Sequence, residues 1–255
     1  SHKQPSDLSD KSKPSPSGGF PAFSGILKIS DGSVRAVNPA GNEKTVIKDL
    51  DLYLDISDIR KPIAYRLFLT SGDTVGSLSG EGTLTLSANN PLDLKAIRTD
   101  TRLKVNNWQL EEALEIMASR GNFPSGKGRL NADLAIRGSA AKVMGINGKL
   151  SMNHLELRGG PLGADHPRIK GITAAIDGTI SQDVLSLNQL KLQSSLANGS
   201  VRGKLAGPGQ NQLQGSANIN LAEVFSQLPG TLKLRKDMAL SRGNLALSAS
   251  VKSAE

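Results

Sequence analysis

From Gly25 onward, apolar and polar residues alternate with a period of two over long runs, and this constrains the fold more than any other feature. Leu50, Leu52, Leu54 and Ile56 interleave with Asp51, Tyr53, Asp55 and Ser57, and Leu84 and Leu86 with Thr83, Thr85 and Ser87. Leu130, Ala132, Leu134 and Ile136 face away from Asn131, Asp133 and Arg137. Leu185 and Leu187, then Leu190 and Leu192, repeat the theme around Asn188 and Lys191. Successive side chains of a strand point to opposite faces, so each run has one apolar and one wetted face. Antiparallel sheets produce that pattern, whereas buried parallel strands are continuously apolar.

About a dozen strands are expected, near 25–30, 32–38, 46–57, 62–71, 75–87, 93–106, 126–137, 145–158, 168–181, 184–193, 198–206, 212–220 and 243–251. Several exceed the usual length of about five or six residues. Twelve residues at about 3.3 Å each span roughly 40 Å. Asp31-Gly32, Ala40-Gly41-Asn42, Ser71-Gly72-Asp73 and Asn198-Gly199 read as turns. Two short helices interrupt the strands. One is expected near 108–119, with Asn107 as N-cap, Leu110, Ala113, Leu114 and Met117 on its apolar face, and Glu111, Glu112 and Glu115 on its solvated face. The other is expected near 221–228, with Asn220 as N-cap, Glu223 three residues on and Pro229-Gly230 as the stop.

The chain is expected to divide into a linker over 1–23, rich in Pro and Ser and with Ser1-His2 read as vector-derived, and two β-rich units, 24–140 and 141–255. The halves resemble each other. Gly25-Ile26-Leu27 aligns with Gly148-Lys149-Leu150, Ile47-Lys48-Asp49-Leu50 with Ile169-Lys170-Gly171-Ile172, Gly82-Thr83-Leu84 with Gly203-Lys204-Leu205, and Gly128-Arg129-Leu130 with Gly243-Asn244-Leu245. A duplication of about six strands and one helix is expected, joined in one continuous sheet. Only 3% of residues are aromatic, so burial rests on Leu, Ile, Val and Ala. The fold expected is mainly β, with long antiparallel strands in a curved, groove-like sheet, or alternatively two layers closed over Leu and Ile.

With no cysteine, disulfides, Cys-ligated zinc and thiol catalysis are excluded. No run of about 18 apolar residues marks a transmembrane helix, and nothing reads as a signal peptide. The net charge of +8 favours anionic partners. It is dispersed, however, and single-strand nucleic-acid binders add aromatic platforms that this chain lacks. His2, His154 and His166 offer no metal-ligand spacing; Asp165-His166 sit together in a turn without a third ligand. There is no Gly-x-Ser-x-Gly elbow and no phosphate-binding glycine loop, and the glutamates have no paired carboxylate in an aromatic-rimmed cleft. Neither catalytic residues nor cofactor or metal sites are expected.

The succession Ser24-Gly25-Ile26-Leu27-Lys28-Ile29-Ser30-Asp31-Gly32, Thr45-Val46-Ile47-Lys48-Asp49-Leu50-Asp51-Leu52, Gly80-Glu81-Gly82-Thr83-Leu84, Gly128-Arg129-Leu130-Asn131-Ala132-Asp133-Leu134 and Gly148-Lys149-Leu150-Ser151-Met152 resembles the AsmA-like family of bacterial envelope proteins, relatives of the TamB group. The likeness covers about 24–252 and rests on diffuse strand patterns. It implies a twisted β-trough projecting into the periplasm from a parent protein anchored in the inner membrane by an N-terminal helix. It further implies that phospholipid or another lipid travels with its acyl chains in the apolar groove, supporting outer-membrane lipid transport and assembly. The N-terminal membrane helix is missing from this sequence.

Candidate groove residues are Leu50, Leu52, Leu54, Leu84, Leu86, Leu103, Val105, Leu134, Ile136, Leu150, Met152, Leu185, Leu187 and Leu192. Such a lining solvates acyl chains at about 0.8 kcal/mol per buried methylene and needs no precisely placed polar group. The competing expectation is a structural β-repeat scaffold in which these leucines are a closed core. Unpaired edge strands also predict edge-to-edge self-association.

Overall fold

A computed structural model describes residues 23–37, 43–71, 76–87, 93–111, 114, 117, 123–181, 184–206, 211–235 and 240–252. The alternating runs form twelve strands: β1 (Gly25–Val37), β2 (Glu43–Ile56), β3 (Ile63–Ser71), β4 (Ser77–Thr85), β5 (Arg98–Gln109), β6 (Ser125–Ser139), β7 (Met144–Arg158), β8 (Arg168–Ser181), β9 (Val184–Ser194), β10 (Ala197–Leu205), β11 (Gln212–Asn220) and β12 (Asn244–Lys252). They pair in chain order as one antiparallel meander, each strand hydrogen-bonded only to its neighbours in sequence. The two-layer alternative is not formed among the described residues: all twelve strands belong to one sheet, and no second sheet covers either face.

Several local expectations are corrected. The two strands expected over 25–30 and 32–38 are the single strand Gly25–Val37, because Asp31-Gly32 is a bulge (Asp31 φ 56°) and not a hairpin turn. Asn198-Gly199 lies inside β10; the chain reverses instead at Ser195-Leu196, where the Ser194 hydroxyl both accepts from the Ala197 N–H (3.1 Å) and donates to the Ala197 carbonyl (3.0 Å). The strand expected over 93–106 is displaced to Arg98–Gln109, so Trp108 and Gln109 are strand and Asn107 caps no helix. Helical conformation begins after Leu110, whose carbonyl accepts from the Leu114 N–H at 2.9 Å, and includes Glu111, Leu114 and Met117. Glu112, Ala113, Glu115, the Ala40-Gly41-Asn42 turn and all of the linker except Phe23 lie outside the described residues.

Five strands carry an extra residue that shifts register, and the shift explains breaks in the alternation. Ile29 is followed on the same face by Gly32, Leu50 is preceded by Ile47, Val105 is followed by Trp108, Met152 by Leu155 and Leu187 by Leu190. A step of three would send a side chain to the other face of a regular strand; a bulge restores it. Asp31, Asp49, Asn107 and His154 supply four of these bulges at φ between 49° and 56°, a region that Asn, Asp and His enter more readily than other side chains. Two bulged N–H groups are satisfied from the neighbouring strand: Asp31 donates to Asp51 Oδ1 (3.1 Å) and Asn107 to Asn131 Oδ1 (2.8 Å).

Helix α1 (Leu221–Gln227) follows β11 as the sequence predicts: the Asn220 side chain accepts from the Glu223 N–H at 3.2 Å. Both helical segments occupy the fifth-to-sixth connection of their half, between β5 and β6 and between β11 and β12. The aligned segments fall on strands of equal rank, and Asp31 and His154, which that alignment equates, both have positive φ.

All helical segments, including a 3-10 turn at Gly160–Leu162, lie at the same end of the sheet. There the β11–β12 connection reaches back across β9 and β10 to the β7–β8 connection. Asp165 accepts from the Gly230 N–H (2.9 Å) and the Thr231 N–H (2.5 Å), Thr231 Oγ1 donates to the Leu162 carbonyl (3.2 Å), and the Arg168 N–H donates to Gln227 Oε1 (2.8 Å). Asp165 is buried, and these hydrogen bonds, chiefly those of Thr231, hold its carboxyl below the usual carboxylate range.

Candidate functional site

Cross-strand partners in an antiparallel sheet share a face, so the register assembles the apolar residues into rows running across the strands. One row is apolar or glycine on all twelve strands: Ile29, Leu52, Leu67, Gly80, Leu103, Leu134, Gly148, Ile176, Leu190, Val201, Gly215 and Ala249. At about 4.8 Å per strand it runs roughly 50 Å. A parallel row passes from Leu78 through Val105, Ala132, Leu150, Ala174, Leu192, Gly199 and Ala217 to Leu247.

Of the residues expected in a groove, Leu52, Leu103 and Leu134 stand in the first row and Val105, Leu150 and Leu192 in the second. Leu54, Ile136 and Leu187 share a third, Leu84 and Leu185 a fourth, and Met152 a fifth beside Leu130 and Ile172. Leu50 faces Gly32 on β1, and Leu86 lies just past the end of β4. The register thus brings separate runs onto one face. The expected set omitted Leu67, Ile176, Leu190, Val201 and the row glycines, although the same alternation, with its steps of three, marks them.

Among the described residues no layer covers this face, yet Val105, Ala132, Leu69 and Leu187 are buried and most other row residues are half-buried, while Lys104, Lys149 and Lys191 opposite are exposed. The apolar side chains of this face shield one another along and across the strands, which the long charged side chains opposite do not. Glycines occupy the face where neighbouring backbone closes in: a Cβ on Gly82 would stand 2.1 Å from the Asp100 carbonyl oxygen, and one on Gly148 would stand 2.2 Å from that of Asp133. Larger row members nonetheless stay open to solvent, Leu192 at 40% and Ile29 at 38%.

Two polar side chains interrupt the third row, and they satisfy each other. Tyr65 and Thr101 flank Gly82 and share a 2.7 Å hydrogen bond, and Thr101 also contacts the Thr99 hydroxyl.

The opposite face carries the charge. Arg102 grips Asp133 with two bonds (3.0 and 2.7 Å), which hold the Asp133 carboxyl below its ordinary range, and Arg137 pairs with Asp100 at 2.9 Å. Two adjoining recesses of about 610 and 640 Å³ open on this polar face over β5–β9. Neither was legible in the sequence, because their walls come from residues between 100 and 193 that only the register brings together.

His154 is exposed at its bulge, and His166 is exposed beside Asp165. Among the described residues no three His, Asp or Glu side chains gather as a metal site, and no helix is long and apolar enough to cross a membrane. Glu111 departs from the solvated face expected for it: its Oε2 is buried without a hydrogen-bond partner among the described residues. No protein-family model, curated protein or solved structure matches the chain.

Proposed function

We propose that this chain is a non-enzymatic lipid-shielding segment whose apolar rows hold phospholipid acyl chains along the apolar face of the sheet. The observation that carries the reading is the row from Ile29 to Ala249, apolar or glycine on every strand and covered by no second layer among the described residues. A contiguous uncovered apolar surface of that extent calls for an apolar occupant. Acyl chains suit it because their burial is non-directional, about 0.8 kcal/mol per methylene, and tolerates sliding along the row. In the third row Tyr65 and Thr101 satisfy each other and present no unpaired hydroxyl to the apolar face. The sequence resemblance to AsmA-like proteins adds the proposal that the segment works in the periplasm, on a parent anchored in the inner membrane, and carries lipid toward the outer membrane.

A phospholipid with a photoreactive group in its acyl chain tests this. Labelling is expected at row residues such as Leu103, Ile176 and Leu190 and absent from Lys104 and Lys191. Labelling confined to the polar face, or none, contradicts the reading. The competing scaffold reading draws on the mutual burial of Val105, Ala132 and Leu187, and it predicts no acyl-chain labelling at all.

A further inference from the structure

We propose that the polar face of β5–β9 binds a phosphate-ester anion between Lys149 and Lys191. Ala175 stands between these lysines in the row Lys104, Asp133, Lys149, Ala175, Lys191, and its small side chain leaves the floor of the 610 Å³ recess between two long cationic arms. Lysines on β7 and β9 lie about two strand spacings, roughly 10 Å, apart at the backbone, within joint reach of one phosphate. The adjoining row supplies Ser151, Thr173 and Gln193, whose hydroxyls and amide donate to oxygen.

The recess is cationic in effect as well as in count. Its one acid, Asp133, is already held by the guanidinium fork of Arg102. In the neighbouring recess Arg102 and Arg137 are neutralised by Asp133 and Asp100, whereas Lys149 and Lys191 have no ion-pair or hydrogen-bond partner among the described residues. A phosphate there would gain charge-assisted hydrogen bonds from both lysines without displacing an existing pair. The anion is a phosphate ester, either of a soluble compound or of a lipid headgroup.

The test is an amide chemical-shift titration of the full chain with glycerol 3-phosphate, with vesicle co-sedimentation on phosphatidylcholine with and without phosphatidylglycerol. Shifts are expected at Ser151, Thr173 and Ala175, and the Lys149→Gln/Lys191→Gln double variant weakens binding about tenfold or more. A Lys28→Gln/Lys204→Gln control leaves it unchanged. Lysine-dependent binding of glycerol 3-phosphate alone assigns a soluble ester, and lysine-dependent co-sedimentation with phosphatidylglycerol vesicles assigns a headgroup. Shifts spread over all surface lysines, or binding undiminished in the double variant, overturn the proposal. Lipid content of the apolar rows is measured separately in the same variant, so either reading can fail without the other.

Discussion

The Tyr65 hydroxyl reaches over Gly82 to share a 2.7 Å hydrogen bond with the Thr101 hydroxyl, two strands away. The bond satisfies the two polar side chains of the third row, whose other ten positions, from Leu27 to Val251, are apolar or glycine. Tyr65→Phe is expected to destabilise the chain by about 1 kcal/mol, since Thr101 then keeps only the Thr99 hydroxyl as a partner. Adding Thr101→Val recovers part of that loss. Urea unfolding of the two single variants and the double variant measures the coupling, and strictly additive effects would separate the two hydroxyls.

Gly80 and Gly82 sit two residues apart on β4 and face the same side, yet they should respond differently to a methyl group. A Cβ at Gly80 meets nothing nearer than Leu103 at 3.6 Å, so Gly80→Ala should change stability by less than about 0.5 kcal/mol. At Gly82 the 2.1 Å approach to the Asp100 carbonyl oxygen forces β4 and β5 apart, and Gly82→Ala should cost about 2 kcal/mol or more. Equal effects in thermal or denaturant unfolding would mean that the close approach does not constrain the β4–β5 pairing.

Asp165 ties the β11–β12 connection to the end of β7. Because its folded pKa is depressed, its contribution is full above the unfolded value of about 4 and is lost as pH falls through the folded value. Stability should therefore decline below about pH 4. Asp165→Asn should lower the melting temperature by a few degrees at neutral pH and flatten the acid limb. The same measurement follows Asp58, whose carboxyl Arg60 lowers to about 2 through side-chain and backbone hydrogen bonds. An unchanged acid limb in the Asp165 variant would remove it from the account.

Among the described residues β1 and β12 each have one unpaired edge, and every residue of β12 is exposed. Concentration-dependent association is expected in sedimentation, and it should weaken in Ser248→Pro, which removes one backbone donor from β12. A monomer at every concentration would show that the edges are shielded.

The alternation at Leu50–Ile56 or Leu130–Ile136 made the strands and the shared apolar face legible without coordinates. The register did not follow from it, because bulges at Asp31, Asp49, Asn107 and His154 decide which runs align. Those bulges have a trace in the sequence, the step of three between Ile29 and Gly32 or between Val105 and Trp108. Asn107 was misread as a helix cap because Asn is favoured both at caps and in left-handed bulges. The basic recess was not legible at all, since Lys149, Ala175 and Lys191 become neighbours only through pairing of β7, β8 and β9.

The most direct test of the central claim is mass spectrometry of an organic extract of the purified protein, compared with a Leu52→Gln/Leu103→Gln/Leu134→Gln variant whose β content is verified by circular dichroism. The account predicts stoichiometric phospholipid in the parent chain and its loss from the folded variant. Absence of lipid from both, or its equal retention in the variant, would contradict an acyl-chain track along the apolar rows.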